Sequence, residues 1–294
     1  MTIRLNIVSE ISQLCVLPSA NGFGADITGV NLSLPLNEAD IQAINEAWLA
    51  HGVVFFPGQT MTPSMLEVFT LSMGSYGKTD FVVPMDGHTN VLELRREPEE
   101  SASHFGGSWH SDFSYQQEPP AATILYGHTI PPVGGDTLFA DGRAACLALS
   151  DKLRDFLRGL KGVHSAAPSY SKEGAFGDED DSSRTMKIVA SDAANETRTH
   201  PIIRAHPDTG EEILWVNSVY TIGIDGLTEA EGKVILDYLV EFTISDRFVY
   251  RHQWQQGTLA MWDNRRVQHF AESGFDGHRR VMYRTTTAGT VPAQ

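Results

Sequence analysis

Short runs of β-branched and aromatic residues recur along this 294-residue chain, and turn residues separate them. Such runs are typical of β-strands, because branched and aromatic side chains pack well on a pleated surface. Many short strands with frequent turns indicate a sandwich or a jelly roll. We therefore predict a mainly β fold with flanking helices. The predicted strands are 53–56, 91–95, 121–127, 137–140, 201–206, 213–217, 248–254, 258–262 and 281–286.

Four helices are predicted, each from a capping residue followed by apolar residues at helical spacing. Their N-caps are Asn37, Thr62, Ser150 and Thr228. Pro63 fits the first position of the second helix, and Glu231 completes a capping box with Thr228. The third helix is expected to bury Leu153, Phe156, Leu157 and Leu160.

Composition and charge limit the partners that we expect. With 41% apolar and 20% charged residues, the chain has the composition of an ordinary soluble protein. Its net charge of −15 argues against nucleic acid, because phosphate contacts require concentrated Lys and Arg. No stretch approaches the roughly 18 apolar residues that cross a bilayer, and no apolar signal core is present. We therefore expect a cytoplasmic enzyme without a membrane partner.

The length is compatible with a single domain over residues 1–294, since all-β barrels with insertions commonly reach this size. Segment 165–199 is polar and has little periodicity. It is either a solvated insertion or an active-site lid that becomes ordered when substrate binds. The sequence leaves both interpretations open.

Two histidines and one carboxylate form a candidate metal site. His110 and Asp112 lie in the motif Trp-His-Ser-Asp, and His269 lies far downstream. Non-heme Fe(II) oxygenases use two His and one carboxylate, which leave three coordination positions open. In a strand, His110 and Asp112 project to the same side, so one short strand can supply two ligands. A zinc hydrolase or a cupin-type isomerase could use the same three ligands.

Arg280 and Arg284 follow His269 in a predicted strand, and alternation places them with Met282 on one face. A guanidinium that points into a barrel interior is costly unless it meets an anion there. Arginine suits carboxylates because its planar fork binds both oxygens. Two such side chains therefore indicate one or two bound carboxylates. Upstream, Gly134 and Gly135 predict a tight turn into a strand that begins near Thr137.

These motifs together resemble the taurine and 2,4-dichlorophenoxyacetate dioxygenase family (TauD/TfdA) of Fe(II)- and 2-oxoglutarate-dependent oxygenases. The resemblance extends over nearly the whole chain and keeps the family's order of motifs. It implies a double-stranded β-helix, a cupin-like jelly roll, with helices packed outside. The matching segments are 24–32, 55–59, 109–112, 134–137, 200–202, 215–217, 262–265 with His269, and 284–286.

The resemblance also implies roles for individual residues. His110, Asp112 and His269 would be the catalytic iron ligands. Thr137 and Arg280 would anchor the distal carboxylate of the cosubstrate, 2-oxoglutarate. With O₂, such an enzyme converts 2-oxoglutarate to succinate and CO₂ and hydroxylates the prime substrate. Family members are commonly homo-oligomers, and we expect the same here. The predicted contacts to the prime substrate are Arg284, Phe113, Tyr220, Val82 and Val83.

The substrate prediction depends on one departure from the family. Members that act on taurine have a His shortly after the second helix, whereas residues 80–84 here are Asp-Phe-Val-Val-Pro. This difference favours an apolar pocket beside Arg284, and therefore an aryloxyalkanoate or a related aromatic carboxylate. A sulfonate, an alkyl sulfate or an amino-acid-type substrate is the alternative within the family. A metal-dependent hydrolase or isomerase and a noncatalytic binding protein are the alternatives outside it.

Overall fold

The computed structural model describes residues 13–178, 180 and 182–294. Its strands are β1 (Cys15–Pro18), β2 (Ala25–Thr28), β3 (Val53–Phe56), β4 (Leu92–Arg96), β5 (Ala122–Thr129), β6 (Thr137–Asp141), β7 (Lys161–Ser165), β8 (Thr197–Pro201), β9 (Ile203–Ala205), β10 (Glu212–Leu214), β11 (Thr221–Ile224), β12 (Val249–His252), β13 (Leu259–Asp263), β14 (Val267–Ala271) and β15 (Arg280–Thr286). Its helices are α1 (Glu38–His51), α2 (Pro63–Met73), α3 (Gly142–Ala148), α4 (Asp151–Leu157), α5 (Ala167–Tyr170) and α6 (Glu229–Thr243), with 3₁₀ turns at Asp192–Asn195 and Asp246–Phe248.

Two sheets carry the site. The larger has the order β1-β2-β3-β13-β5-β15-β4, and the smaller has the order β12-β6-β14. Phe55 and Met282 of the larger sheet pack in one buried cluster with Phe139 and Val267 of the smaller sheet. The sheets therefore face each other across a shared apolar core. The predicted mainly β fold is confirmed.

Strand β3 shows how the larger sheet is covered on both faces. Val53 and Phe55 belong to the cluster between the sheets, whereas Val54 and Phe56 belong to a second cluster with helix residues such as Ile44. This division follows from the alternation of side chains along a strand. Helices α1 and α2 thus pack on the outer face of the sheet, opposite the site.

All four predicted N-caps are confirmed. The side chains of Asn37, Thr62, Ser150 and Thr228 each accept a hydrogen bond from a backbone N–H in the first turn. The predicted capping box of α6 is also present. The burial predicted for the third helix is wrong at Phe156, whose side chain is exposed. Helix α4 has only seven residues, and only Leu157 is fully buried on its inner side.

Several strands differ from the prediction. The run predicted at 201–206 is divided, because β8 ends at Pro201 and β9 begins at Ile203. Strands β1, β2, β7, β11 and β14 were not predicted. Within segment 165–199, the chain forms α5, a 3₁₀ turn and the start of β8. None of the helices in the described ranges has the length and apolar character needed to span a bilayer.

Candidate active site

A backbone bridge brings the two histidines together. The N–H of His110 donates to the carbonyl of His269 at 3.0 Å, and the N–H of His269 donates to the carbonyl of His110 at 2.8 Å. His269 lies in β14, but His110 forms only this isolated bridge. His110 and Asp112 therefore do not share a regular strand, because a turn begins at Asp112 and continues through Phe113, which has a φ of 49°. The bridge and this turn bring the three side chains together.

The three polar groups converge closely. Oδ1 of Asp112 lies 3.5 Å from Nε2 of His110 and 3.9 Å from Nε2 of His269. All candidate ligand atoms lie within 4.8 Å of one another, and all three residues are buried. Nδ1 of His110 donates to the carbonyl of Ser108 at 2.7 Å, and this bond orients the ring so that Nε2 faces Asp112. This donor set and spacing fit a single divalent metal ion.

The charged groups and the burial of the site favour protonation states of Asp112 and His269 that can bind a cation. Burial alone would raise the pKa of Asp112, but Arg284, His269 and His110 outweigh this effect and hold the pKa below its usual range. Burial, followed by the neighbouring His110, lowers the pKa of His269 well below its ordinary value. At neutral pH the site therefore contains an ionised carboxylate, and His269 is a neutral imidazole, the form that binds metals.

One cavity lies on the side of Arg280, and we call it the Arg280 cavity. Nη2 of Arg280 donates to the carbonyl of Gly135 at 3.2 Å, while its Nε has no hydrogen-bond partner in the part of the chain that the structure describes. Among the described residues, no carboxylate forms an ion pair with Arg280. Burial lowers the pKa of this guanidinium to about 10. A buried cation without a counter-ion is costly, so the cavity is built for an anion.

Thr137 lies in the same cavity, as do the metal-site residues His110 and His269. Its Oγ1 accepts a hydrogen bond from Nε1 of Trp254 at 2.9 Å. The hydroxyl proton of Thr137 is therefore available for a bound oxygen, because the indole N–H can only donate. Thr137 and Arg280 together can donate hydrogen bonds to one carboxylate.

A second cavity adjoins the first at the candidate metal site, and we call it the Tyr220 cavity. It shares His110 and Arg284 with the Arg280 cavity and also reaches Asp112. The guanidinium carbon of Arg284 lies 4.9 Å from the ring centre of Phe113. This cavity therefore combines one cation with an aromatic lining. Its aromatic residues are Phe105, Phe113, Tyr170, Phe176, Tyr220 and Phe270.

The five residues predicted to contact the prime substrate divide into two groups. Arg284, Phe113 and Tyr220 line the Tyr220 cavity. Val82 is buried in a cluster with Phe113 and Tyr220 but lines neither cavity, and Val83 is 41% exposed. The two valines alternate along an extended segment, so only one of them can face the interior. We therefore make no further assignment to Val83.

Several residues around the site were not predicted from the sequence. His104 lines both cavities, and its buried Nε2 has no hydrogen-bond partner among residues 13–178, 180 and 182–294. Tyr170 and Phe176 line the Tyr220 cavity from segment 165–199. The ring centre of Trp262 lies 4.6 Å from that of His269. Only Trp262 carried a sequence signal, because it belongs to a segment that matched the family.

Comparison with known proteins found a matching family model and several similar proteins. The family model for the taurine catabolism dioxygenase TauD, TfdA family matches residues 16–286. The chain is 33% identical over 281 residues to an alpha-ketoglutarate-dependent sulfate ester dioxygenase from Pseudomonas putida, covering 95% of this chain and 91% of that protein. It is 30% identical over 284 residues to an alpha-ketoglutarate-dependent 2,4-dichlorophenoxyacetate dioxygenase from Cupriavidus pinatubonensis, covering 90% and 94%.

A solved structure gives the same result for the fold. A putative alpha-ketoglutarate-dependent taurine dioxygenase from Burkholderia xenovorans aligns with a TM-score of 0.79 and 33% identity. The alignment covers 95% of this chain and 94% of that one. The predicted jelly-roll core with surrounding helices is thereby confirmed. Every residue of the two cavities lies within the range that the family model matches.

Proposed function

Because this chain belongs to the taurine catabolism dioxygenase TauD, TfdA family and is an Fe(II)- and 2-oxoglutarate-dependent dioxygenase, we propose that it hydroxylates a small anionic organic substrate. Family membership favours this activity over the hydrolase, isomerase and binding-protein alternatives. The observation that carries the proposal is the position of His110, Asp112 and His269 between two cavities that each contain a buried arginine.

We assign the metal to these three residues. Two imidazole nitrogens and one carboxylate oxygen suit Fe(II) and leave positions open for other ligands. When bound, iron with 2-oxoglutarate and O₂ supplies the oxidising chemistry that hydroxylates a C–H bond and releases succinate and CO₂. The protein contributes the orientation of its ligands: Ser108 fixes the ring of His110, and the backbone bridge fixes His269 relative to it.

The Arg280 cavity is assigned to 2-oxoglutarate. The distal carboxylate would accept hydrogen bonds from Arg280 and from the hydroxyl of Thr137. This contact would provide the counter-ion that Arg280 lacks within the described chain, and the charge-assisted bonds would hold the cosubstrate beside the metal ligands.

The Tyr220 cavity is assigned to the prime substrate, and we propose an aryloxyalkanoate or a related aromatic carboxylate. Arg284 would bind the carboxylate, while Phe113 and Tyr220 would contact the aromatic ring. Hydroxylation of the carbon beside the ether oxygen gives a hemiacetal, which collapses to a phenol and an oxoacid. Exclusion of water by the aromatic walls would strengthen the contact between Arg284 and the carboxylate.

A sulfate ester or a sulfonate is the second candidate. The relative from Pseudomonas putida is named for sulfate esters and shares 33% identity, slightly more than the relative from Cupriavidus pinatubonensis. Arg284 could bind a sulfate as well as a carboxylate. A carboxylate is planar and a sulfate is tetrahedral, but the oxygens of both accept hydrogen bonds from guanidinium N–H groups. The aromatic lining favours the first candidate.

We further propose that residues 1–294 form one catalytic domain. Both sheets contribute to the site, since Thr137 and His269 come from the smaller sheet and Arg280 and Arg284 from the larger one. Tyr170 and Phe176 support a place for segment 165–199 in the substrate pocket.

A substrate panel tests the proposal. The protein would be incubated with Fe(II), 2-oxoglutarate and O₂, together with phenoxyacetate, 2-phenoxypropionate, hexyl sulfate or taurine. We expect succinate and phenol in equal amounts from the phenoxyalkanoates. Turnover confined to hexyl sulfate or taurine would reject the aryloxyalkanoate, and no succinate from any of these compounds would count against the whole assignment. Protein with His269→Ala serves as the inactive control.

A further inference from the structure

A buried chain of hydrogen bonds ends on Asp112 at the oxygen that faces away from the histidines. Oγ1 of Thr123 donates to Oδ2 of Asp112 at 2.6 Å. Nδ2 of Asn264 donates to Oγ1 of Thr123 at 2.8 Å, and Nε1 of Trp262 donates to Oδ1 of Asn264 at 3.0 Å. All four side chains are at most 2% exposed. We call this set the Trp262–Asp112 chain.

The direction of each bond follows from its first member. An indole N–H can only donate, so Trp262 must face the carbonyl oxygen of the Asn264 amide. The NH₂ of that amide then faces Thr123 and donates to its hydroxyl oxygen. A hydroxyl has one proton, and that of Thr123 is thus directed to Asp112. Each hydrogen bond in the Trp262–Asp112 chain therefore fixes which atom donates and which accepts in the next bond.

The first links are themselves fixed by the fold. Trp262 and Thr123 are register partners on β13 and β5. The backbone N–H of Asn264 donates to the carbonyl of Ala121 at 2.9 Å, and the carbonyl of Asn264 accepts from Nε1 of Trp215 at 2.9 Å. The amide is therefore held by its backbone as well as by its side chain.

We propose that Thr123 is a positioning residue that commits Asp112 to bind the metal through Oδ1 alone. This proposal rests on the assignment of Asp112 as a metal ligand. With Oδ2 occupied by Thr123, only Oδ1 is presented to the histidine nitrogens, and the carboxylate cannot rotate to offer both oxygens. The remaining coordination positions are thus kept for cosubstrate and O₂. Asn264 and Trp262 act through Thr123.

Titration with Co(II) alone, without oxygen, tests the proposal by calorimetry and by the visible absorption of the bound ion. Thr123→Val keeps the shape of the side chain and removes the hydroxyl. We expect it to weaken Co(II) binding by about 10- to 100-fold, the usual effect of removing a partner of a ligand, and to change the absorption spectrum. Thr123→Ser restores the hydroxyl and should bind with nearly the parent affinity and spectrum.

A matched control separates this role from general destabilisation. Thr243 is also fully buried and its hydroxyl donates to a backbone carbonyl, but it lies in α6. Thr243→Val should lower the melting temperature and leave Co(II) affinity unchanged. If Thr123→Val does not fold, Thr123→Ala is compared with Thr123→Ser, with the same expectation.

The possible results are distinguishable. Parent-like affinity and spectrum in Thr123→Val would overturn the positioning role and leave the proposed function intact. Equal loss of affinity in Thr243→Val would also overturn it. If the parent protein does not bind Co(II), the metal assignment itself fails.

Discussion

Nη2 of Arg284 lies 2.8 Å from Oδ1 of Asp112, the oxygen that faces both histidine rings. The two groups form a close ion pair, but the N–H is not aligned as a hydrogen bond, and Nε of Arg284 also has no hydrogen-bond partner among the described residues. Arg284 therefore retains donors for a second anion while it stabilises the ionised form of Asp112. This ion pair joins the proposed metal site to the proposed substrate pocket.

Replacing Arg284 should weaken binding of the prime substrate more than binding of 2-oxoglutarate. In Arg284→Gln, loss of a charge-assisted contact worth roughly 1.5–3 kcal/mol should lower kcat/KM for the prime substrate by about 10- to 150-fold. The KM for 2-oxoglutarate should change little, because Arg280 and Thr137 remain. Steady-state kinetics with each substrate varied in turn measure both values. Equal losses for both substrates would contradict the division of roles between the two arginines.

Replacing Arg280 should have the opposite pattern. We expect Arg280→Gln to raise the KM for 2-oxoglutarate strongly, and Thr137→Val to raise it less, because a neutral hydroxyl forms a weaker bond to a carboxylate than a guanidinium does. Stability should not fall with Arg280→Gln, since it removes a buried cation that has no counter-ion in the described chain. Thermal unfolding together with cosubstrate kinetics tests this combination, and a marked loss of stability would contradict it.

Removing the third ligand should abolish activity without unfolding the protein. In His269→Ala, the two hydrogen bonds to His110 remain because they involve backbone atoms. We expect no measurable succinate formation and strongly reduced Co(II) binding, with a circular dichroism spectrum like that of the parent. Retention of metal binding at the parent affinity would show that His269 is not a ligand.

Acid should destabilise the protein through buried neutral histidines. Burial, with a smaller contribution from His200, lowers the pKa of His164 to about 3, whereas an unfolded His titrates near ~6.5. The unfolded state therefore binds a proton below pH ~6.5 that the folded state cannot bind. The stability due to neutral His164 is present above that pH and is lost as pH falls towards the folded pKa, by about 1.4 kcal/mol per pH unit.

His164→Asn tests this contribution. Urea unfolding between pH 7 and pH 5 measures how the free energy of unfolding changes with pH. This free energy should fall less steeply in the variant, because up to about one fewer proton is taken up on unfolding. The amide can still bond to Ser114, the present partner of Nδ1. Identical pH slopes in the parent and the variant would rule out His164 as a source of acid sensitivity.

The extent of prediction from sequence differs between local and long-range features. The helix caps at Asn37 and Thr228 were predictable, because a capping side chain and its backbone partner are close in sequence. The alternation of Arg280, Met282 and Arg284 was also predictable, and all three are buried. Strand β14 was missed because polar residues interrupt its apolar alternation. One of them is His269, which faces the other two candidate ligands.

In the site, too, local motifs were predictable, whereas the positions that depend on the path of the folded backbone were not. The three candidate ligands could be named from motifs, but the turn that begins at Asp112, directly after the bridge at His110, was not predicted. His104 and Phe176 lie in loops, where side-chain direction has no period that a sequence reveals. Val82 and Val83 carried equal sequence signals, and only the path of the backbone distinguishes the buried residue from the exposed one.

The bridge between His110 and His269 has a consequence during protein synthesis. A nascent chain that has left the ribosome as far as β12 contains His110 and Asp112 but neither His269 nor the two arginines beyond it. Such a chain has an incomplete ligand set, and of the two proposed cosubstrate anchors it contains Thr137 but not Arg280. The proposed metal site and its arginine contacts can therefore be complete only after the last strands have been translated and paired.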